Sequence, residues 1–111
     1  MALRIHHITV DCAEALRVAT FWSAALGIPL DDGGGPEFAS IAGAESGRGW
    51  LFFQVPEPKT AKNRMHFDLR APGPLRAEVR RLEDLGAMVS KDGTDLVVMT
   101  DPEGNEFCVE Q

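Results

Sequence analysis

The chain opens on an alternating stretch. From Ile5 to Val10, Ile8 and Val10 fall on one side and His7 and Thr9 on the other, the period of a half-buried strand. The stretch from Asp11 to Leu26 is rich in alanine and leucine and predicts a helix. Asp11 and Glu14 offer a variant of the capping box at its start, and Gly27 a left-handed stop at its end. Ile28–Leu30 and Glu37–Ala42 read as two strands joined across Asp31–Pro36. Gly33, Gly34 and Gly35 in that joint have the composition of a flexible turn. A phosphate cradle would need a following Lys-Ser/Thr, and two aspartates precede the glycines instead. Trp50–Val55 is a strongly apolar strand.

A polar connector with two prolines, Pro56 to Arg64, separates this half from the next. Arg64–Arg70 alternates cleanly, with Met65, Phe67 and Leu69 opposite His66, Asp68 and Arg70. Pro72-Gly73-Pro74 opens a second helix, Leu75–Leu85, and Gly86 follows its end. Met88–Lys91, Asp95–Thr100 and Glu106–Glu110 read as three short strands. Turns at Asp92-Gly93 and Asp101-Pro102-Glu103-Gly104 separate them.

The two halves share one register. At a constant offset His7 matches His66, Val10 matches Leu69, Leu16 matches Leu75, and Leu26-Gly27 matches Leu85-Gly86. Matches in one frame point to a duplicated strand–helix–strands unit. With the aliphatic residues assigned to the helix-packing side, the opposite side carries His7, Thr9, Trp50, Phe52, Gln54, His66, Asp68, Glu106, Cys108 and Glu110. A mixed aromatic and polar lining suits a small-molecule pocket, with Thr9, Trp50 and Phe52 as its substrate-facing part.

Composition narrows the partners. Hydrophobic residues at 44% and charged residues at 25% are the balance of an ordinary globular chain. A net charge of -6 repels phosphate backbones and excludes nucleic acid as the expected partner. No apolar run approaches the roughly 20 residues of a membrane helix. The first residues lack the apolar stretch of a secretory leader, and Cys12 and Cys108 are too few for a disulfide framework. The expected compartment is the cytoplasm, with reduced thiols.

His7-Ile8-Thr9-Val10, Phe21-Trp22-Ser23-Ala24-Ala25-Leu26-Gly27, His66-Phe67-Asp68-Leu69 and Asp101-Pro102-Glu103-Gly104-Asn105 carry a resemblance. In this order and spacing they resemble the vicinal oxygen chelate superfamily, which includes glyoxalase I, extradiol dioxygenases, fosfomycin-resistance enzymes and bleomycin-binding proteins. The stretch from Phe53 to Lys59, continued by Asn63–His66, is similar to small glyoxalase-like proteins. The resemblance implies one α+β domain over residues 1–111. Two βαβββ modules, about 1–56 and about 64–111, would form a barrel-like cavity from curved mixed sheets. It also implies a divalent ion. His7 and His66 match histidine ligand positions, and Gln54 falls near the ligand position of the fourth strand. The last-strand ligand would be a Glu four residues after the turn glycine. Cys108 stands there, flanked by Glu106 and Glu110.

Two imidazoles with a carboxylate or thiolate suit Zn, Fe, Ni or Mn, and Cys108 shifts the preference toward Zn or Fe in a degenerate site. Glu106 and Asp68 are the candidate catalytic carboxylates. Asp68 is a general base if desolvated, or else a partner of Arg70 or Arg4. Cys108 is a nucleophile only with a lowered pKa, and otherwise an inert thiol. His6 points away from the His7 side. Lys59, Lys62 and Arg64 either attract an anionic substrate or form a solvated linker. Three functions stay open: a metal-dependent lyase, isomerase or dioxygenase; a metal-free small-molecule binding or drug-sequestering protein; and a structural or regulatory dimer with a vestigial cavity. A homodimer is expected in each case, and sedimentation checks it.

Overall fold

A computed structural model describes residues 1–43 and 48–111. The described residues form two compact units, Met1–Pro58 and Lys59–Gln111. The first holds β1 (Ile8–Cys12), α1 (Ala15–Leu26), β2 (Phe38–Ile41) and β3 (Trp50–Gln54). The second holds β4 (Asp68–Arg70), α2 (Leu75–Leu85), β5 (Met88–Lys91), β6 (Leu96–Thr100) and β7 (Glu106–Glu110).

In the first unit the strands run in the order β1-β3-β2, with β1 parallel and β2 antiparallel to β3. Helix α1 buries Ala15, Val18, Ala19, Phe21 and Trp22. Its N-terminus departs from the expected capping box. Asp11 lies inside β1, and Glu14 at the N-cap position makes no side-chain cap. The amides of Ala15 and Leu16 donate instead to the carbonyls of Pro36 and Gly35, at 3.0 and 3.1 Å. The glycine-rich loop therefore satisfies donors that a helix start leaves unpaired. A Cβ at Gly34 would sit 3.2 Å from both the Ala39 Cβ and a Leu16 methyl, so glycine permits this close approach. Gly27 ends the helix in the left-handed region at φ 67°.

In the second unit the order is β4-β7-β6-β5, with β4 parallel to β7 and the other pairs antiparallel. Helix α2 buries Leu75, Val79 and Leu82, one apolar stripe on an otherwise charged helix. Beneath it Phe107, Met99, Val97 and Val109 form the core. Gly86 closes α2 at φ 118°.

The units share one plan. β1, β3 and β2 take the places of β4, β7 and β6, with the same pairing directions. They differ at the strand expected over Ile28–Leu30, which is reduced to a single bridge, Leu30 to Ile41. Pro29 has no amide hydrogen, so this edge cannot extend as a regular ladder. Its counterpart β5 is a full strand with an irregularity between Val89 and Lys91.

Candidate functional site

The second sheet separates its faces by register. Asp68 pairs with Cys108 and Cys108 with Val98, so these three share a side. Arg70 and Glu110 share it one step along. Leu69 pairs with Val109, and Val97 also pairs with Val109. These alternate residues lie toward α2. Asp68, Cys108, Glu106 and Glu110 therefore project from the open face, with the parity the sequence alternation predicts.

His66, Asp68 and Cys108 come together there. One ligand-type atom from each lies within 4.8 Å of the other two. His66 Nδ1 is hydrogen-bonded to Asp68 Oδ1 at 2.9 Å. Asp68 is thus the partner of a histidine. Arg70 pairs with Glu110 instead, at 3.2 Å. The Asp68 side chain is 54% exposed. Cys108 is half-buried. Burial pushes its thiol pKa up, and the charge and hydrogen bond of Asp68 push the same way against a smaller opposing pull from Lys62. Both effects run against the lowered pKa that an activated nucleophile needs.

Glu106 has another task. Its carboxylate accepts from Lys59 Nζ at 3.0 Å and from the Asn63 backbone amide at 2.9 Å. The Asn63 amide, with help from Lys59, outweighs desolvation and holds the Glu106 pKa down to about 2. Glu106 is therefore no proton donor near neutrality. It fastens the connector to β7, which also explains Lys59. The stabilisation is complete above the ordinary carboxylate pKa near 4.5 and is lost as pH falls through about 2. Replacing Glu106→Gln is expected to cost about 1–2 kcal/mol at pH 7. Urea unfolding from pH 7 to pH 2 should show the gap to wild type closing below pH 4.5. A constant gap would mean that charge contributes nothing.

The first unit places its candidates differently. Thr9 is exposed on β1, and its parity is opposite to that of Ile8 and Val10. Trp50 and Phe52, expected in a pocket, lie in the α1-facing core. β3 pairs in parallel with β1 in the register Ile8–Trp50 and Val10–Phe52. The Trp50 ring lies 5.1 Å from that of Trp22 in α1, and Phe52 is fully buried. The cause is volume. Ala15 and Ala19 leave space under the helix, and large aromatic residues on β3 fill it. Leu51 and Phe53 occupy the open face, where the Phe53 ring meets that of Phe38 at 5.0 Å. Periodicity could not find these residues, because β3 is apolar at both parities. The small residues of α1 were the available clue.

Gln54 shares the parity of Phe52, and its side-chain amide donates to the Ala13 carbonyl at 2.9 Å, tying β3 to the end of β1. His7 is half-buried just before β1, with its Nδ1 at 2.6 Å from His6 Nδ1. The strongest cluster of potential ligands among the described residues is therefore His66, Asp68 and Cys108. A nitrogen, an oxygen and a sulfur donor in one place fit a borderline or soft divalent ion. No helix among the described residues is long and apolar enough to cross a membrane.

Residues 7–110 match the glyoxalase-like domain family. No curated protein matches the sequence. Among solved structures, a glyoxalase/bleomycin resistance protein/dioxygenase family enzyme from Burkholderia phytofirmans PsJN superposes with a TM-score of 0.76. Identity is 13%, covering 96% of this chain and 97% of the other. A mutant of a fosfomycin resistance protein from Listeria monocytogenes, complexed with Mn(II) and 1S,2S-dihydroxypropylphosphonic acid, gives a TM-score of 0.74 at 11% identity, covering 99% and 90%. A glyoxalase-related enzyme from Fulvimarina pelagi gives 0.73 at 14% identity, covering 98% and 88%. Fold and sequence agree, and the chain belongs to the glyoxalase-like domain family of the vicinal oxygen chelate superfamily.

Proposed function

We propose that this chain binds a small organic molecule on the open face of its second sheet and, with a divalent ion held there, acts on it as a lyase, isomerase or dioxygenase. The clustering of His66, Asp68 and Cys108 on one face carries this reading. The Listeria relative, solved with Mn(II) and a small phosphonic acid, supports it. A bound ion would supply Lewis acidity toward a carbonyl or enediolate oxygen. The chain's own residues set the geometry. The His66–Asp68 contact keeps these two side chains together, and the β4–β7 pairing holds Cys108 beside Asp68.

A metal-free binding protein is the second reading, and one observation favours it. His66 and Asp68 are already hydrogen-bonded to each other, and an ion would have to part them. Oxalate and catechol, small molecules with adjacent oxygens, separate the two. Each is titrated into the protein with and without Zn(II), with amide chemical shifts followed by NMR. Ion-dependent shifts over Asp68–Arg70 and Glu106–Glu110 support the first reading. Shifts without the ion support the second. No shifts on these strands would remove both.

A further inference from the structure

The open face of the second sheet carries three carboxylates close to Cys108, on Asp68, Glu106 and Glu110, and their partners distinguish them. Glu106 is taken up by Lys59 and the Asn63 amide. Glu110 is paired with Arg70. Asp68 meets a histidine and a thiol, and both of these are themselves metal-ligand types. It also stands directly across from Cys108 in the β4–β7 ladder.

We propose that Asp68, rather than Glu106, is the carboxylate of a His66–Asp68–Cys108 site for a Zn(II)-like or Fe(II)-like ion. This rests on the reading that an ion is held on this face, and assigns its ligands and its class. Zn bonds of about 2.0–2.3 Å to N, O and S place tetrahedral ligand atoms about 3.3–3.7 Å apart. The three atoms here begin within 4.8 Å of one another, and His66 Nδ1 and Asp68 Oδ1 at 2.9 Å, so side-chain rotation suffices. Three protein ligands leave a position open for a substrate oxygen. On binding, the Cys108 S–H bond breaks, the proton leaves to solvent and the sulfur pair forms the bond to the ion. The thiolate then disfavours Mn(II) and Mg(II) relative to Zn(II) and Fe(II).

Asp68 could also act only by orienting His66, and the test separates the two roles. Asp68→Asn keeps an oxygen that can accept from His66 Nδ1, but loses the anionic ligand. Zn(II) affinity is measured by competition with a chromophoric chelator, and Co(II) loading by absorption. Cooperative thermal melts of the ion-free variants show that they fold, with Glu106→Gln melting lower because it loses its contacts to Lys59 and Asn63. Wild type should take up one equivalent of Zn(II) and show a sulfur-to-Co(II) charge-transfer band that Cys108→Ser abolishes. Asp68→Asn and Asp68→Ala should both bind Zn(II) at least tenfold more weakly, and Glu106→Gln within threefold of wild type. Wild-type affinity in Asp68→Asn would overturn the assignment of Asp68. So would a loss in Glu106→Gln alone, and either result leaves an ion-assisted function standing. No Zn(II) or Co(II) uptake by wild type would overturn this proposal together with the ion-dependent function, but not the metal-free one.

Discussion

Replacing Cys108→Glu is expected to raise Mn(II) affinity at least tenfold, about 1.4 kcal/mol of binding free energy. Burial and then Asp68 push the wild-type thiol pKa up, which works against the thiolate an ion would need, and sulfur is a poor match for a hard ion. A carboxylate at the same place is ionised at neutral pH and is a hard oxygen donor. The position suits it, since Cys108 faces Asp68 across the β4–β7 ladder on the side of His66. The same substitution sets two carboxylates opposite each other. Without the ion it should cost about 0.5–1 kcal/mol through like-charge repulsion. Calorimetric titration with Mn(II), alongside thermal melts with and without it, reads both effects, and His66→Ala in the same background should erase the gain. If Mn(II) affinity does not rise, position 108 does not face the ion.

Phe52→Ala should be the most damaging single truncation in the first unit, costing about 3–5 kcal/mol. Phe52 is fully buried among the residues under α1, and the alanines of that helix cannot collapse into the space its ring would leave. Its neighbour makes the control. Phe53 lies on the opposite face, 42% exposed, with the Phe38 ring as an edge partner. Phe53→Ala should cost only about 1 kcal/mol, the scale of one aromatic pair. Native domains hold about 5–15 kcal/mol in total, so the first variant approaches unfolding while the second stays folded. Urea denaturation of both, read by tryptophan fluorescence, checks the order. A larger loss for Phe53→Ala would reverse the face assignment of β3, and Trp50 and Phe52 would return to the open side.

Local pattern alone determined both helices and their ends at Gly27 and Gly86, the duplicated plan, and the open side of β4 and β7. There, apolar Leu69, Phe107 and Val109 alternate with polar Asp68, Cys108 and Glu106, so period two decides which side is buried. The resemblance carried by the histidine strands and the Asp101–Asn105 turn reached the family. Tertiary structure decided the rest. β3 is apolar at both parities, so its face depended on the register with β1 and on the space under the alanines of α1. The cap of α1 came from the carbonyls of a loop beyond the helix, which no local motif encodes. The choice among three similar carboxylates was also beyond the sequence. Which cation or amide each one meets is set by groups brought together across the sheet and from the connector. That is why Glu106 became a clasp and Asp68 was left beside His66 and Cys108.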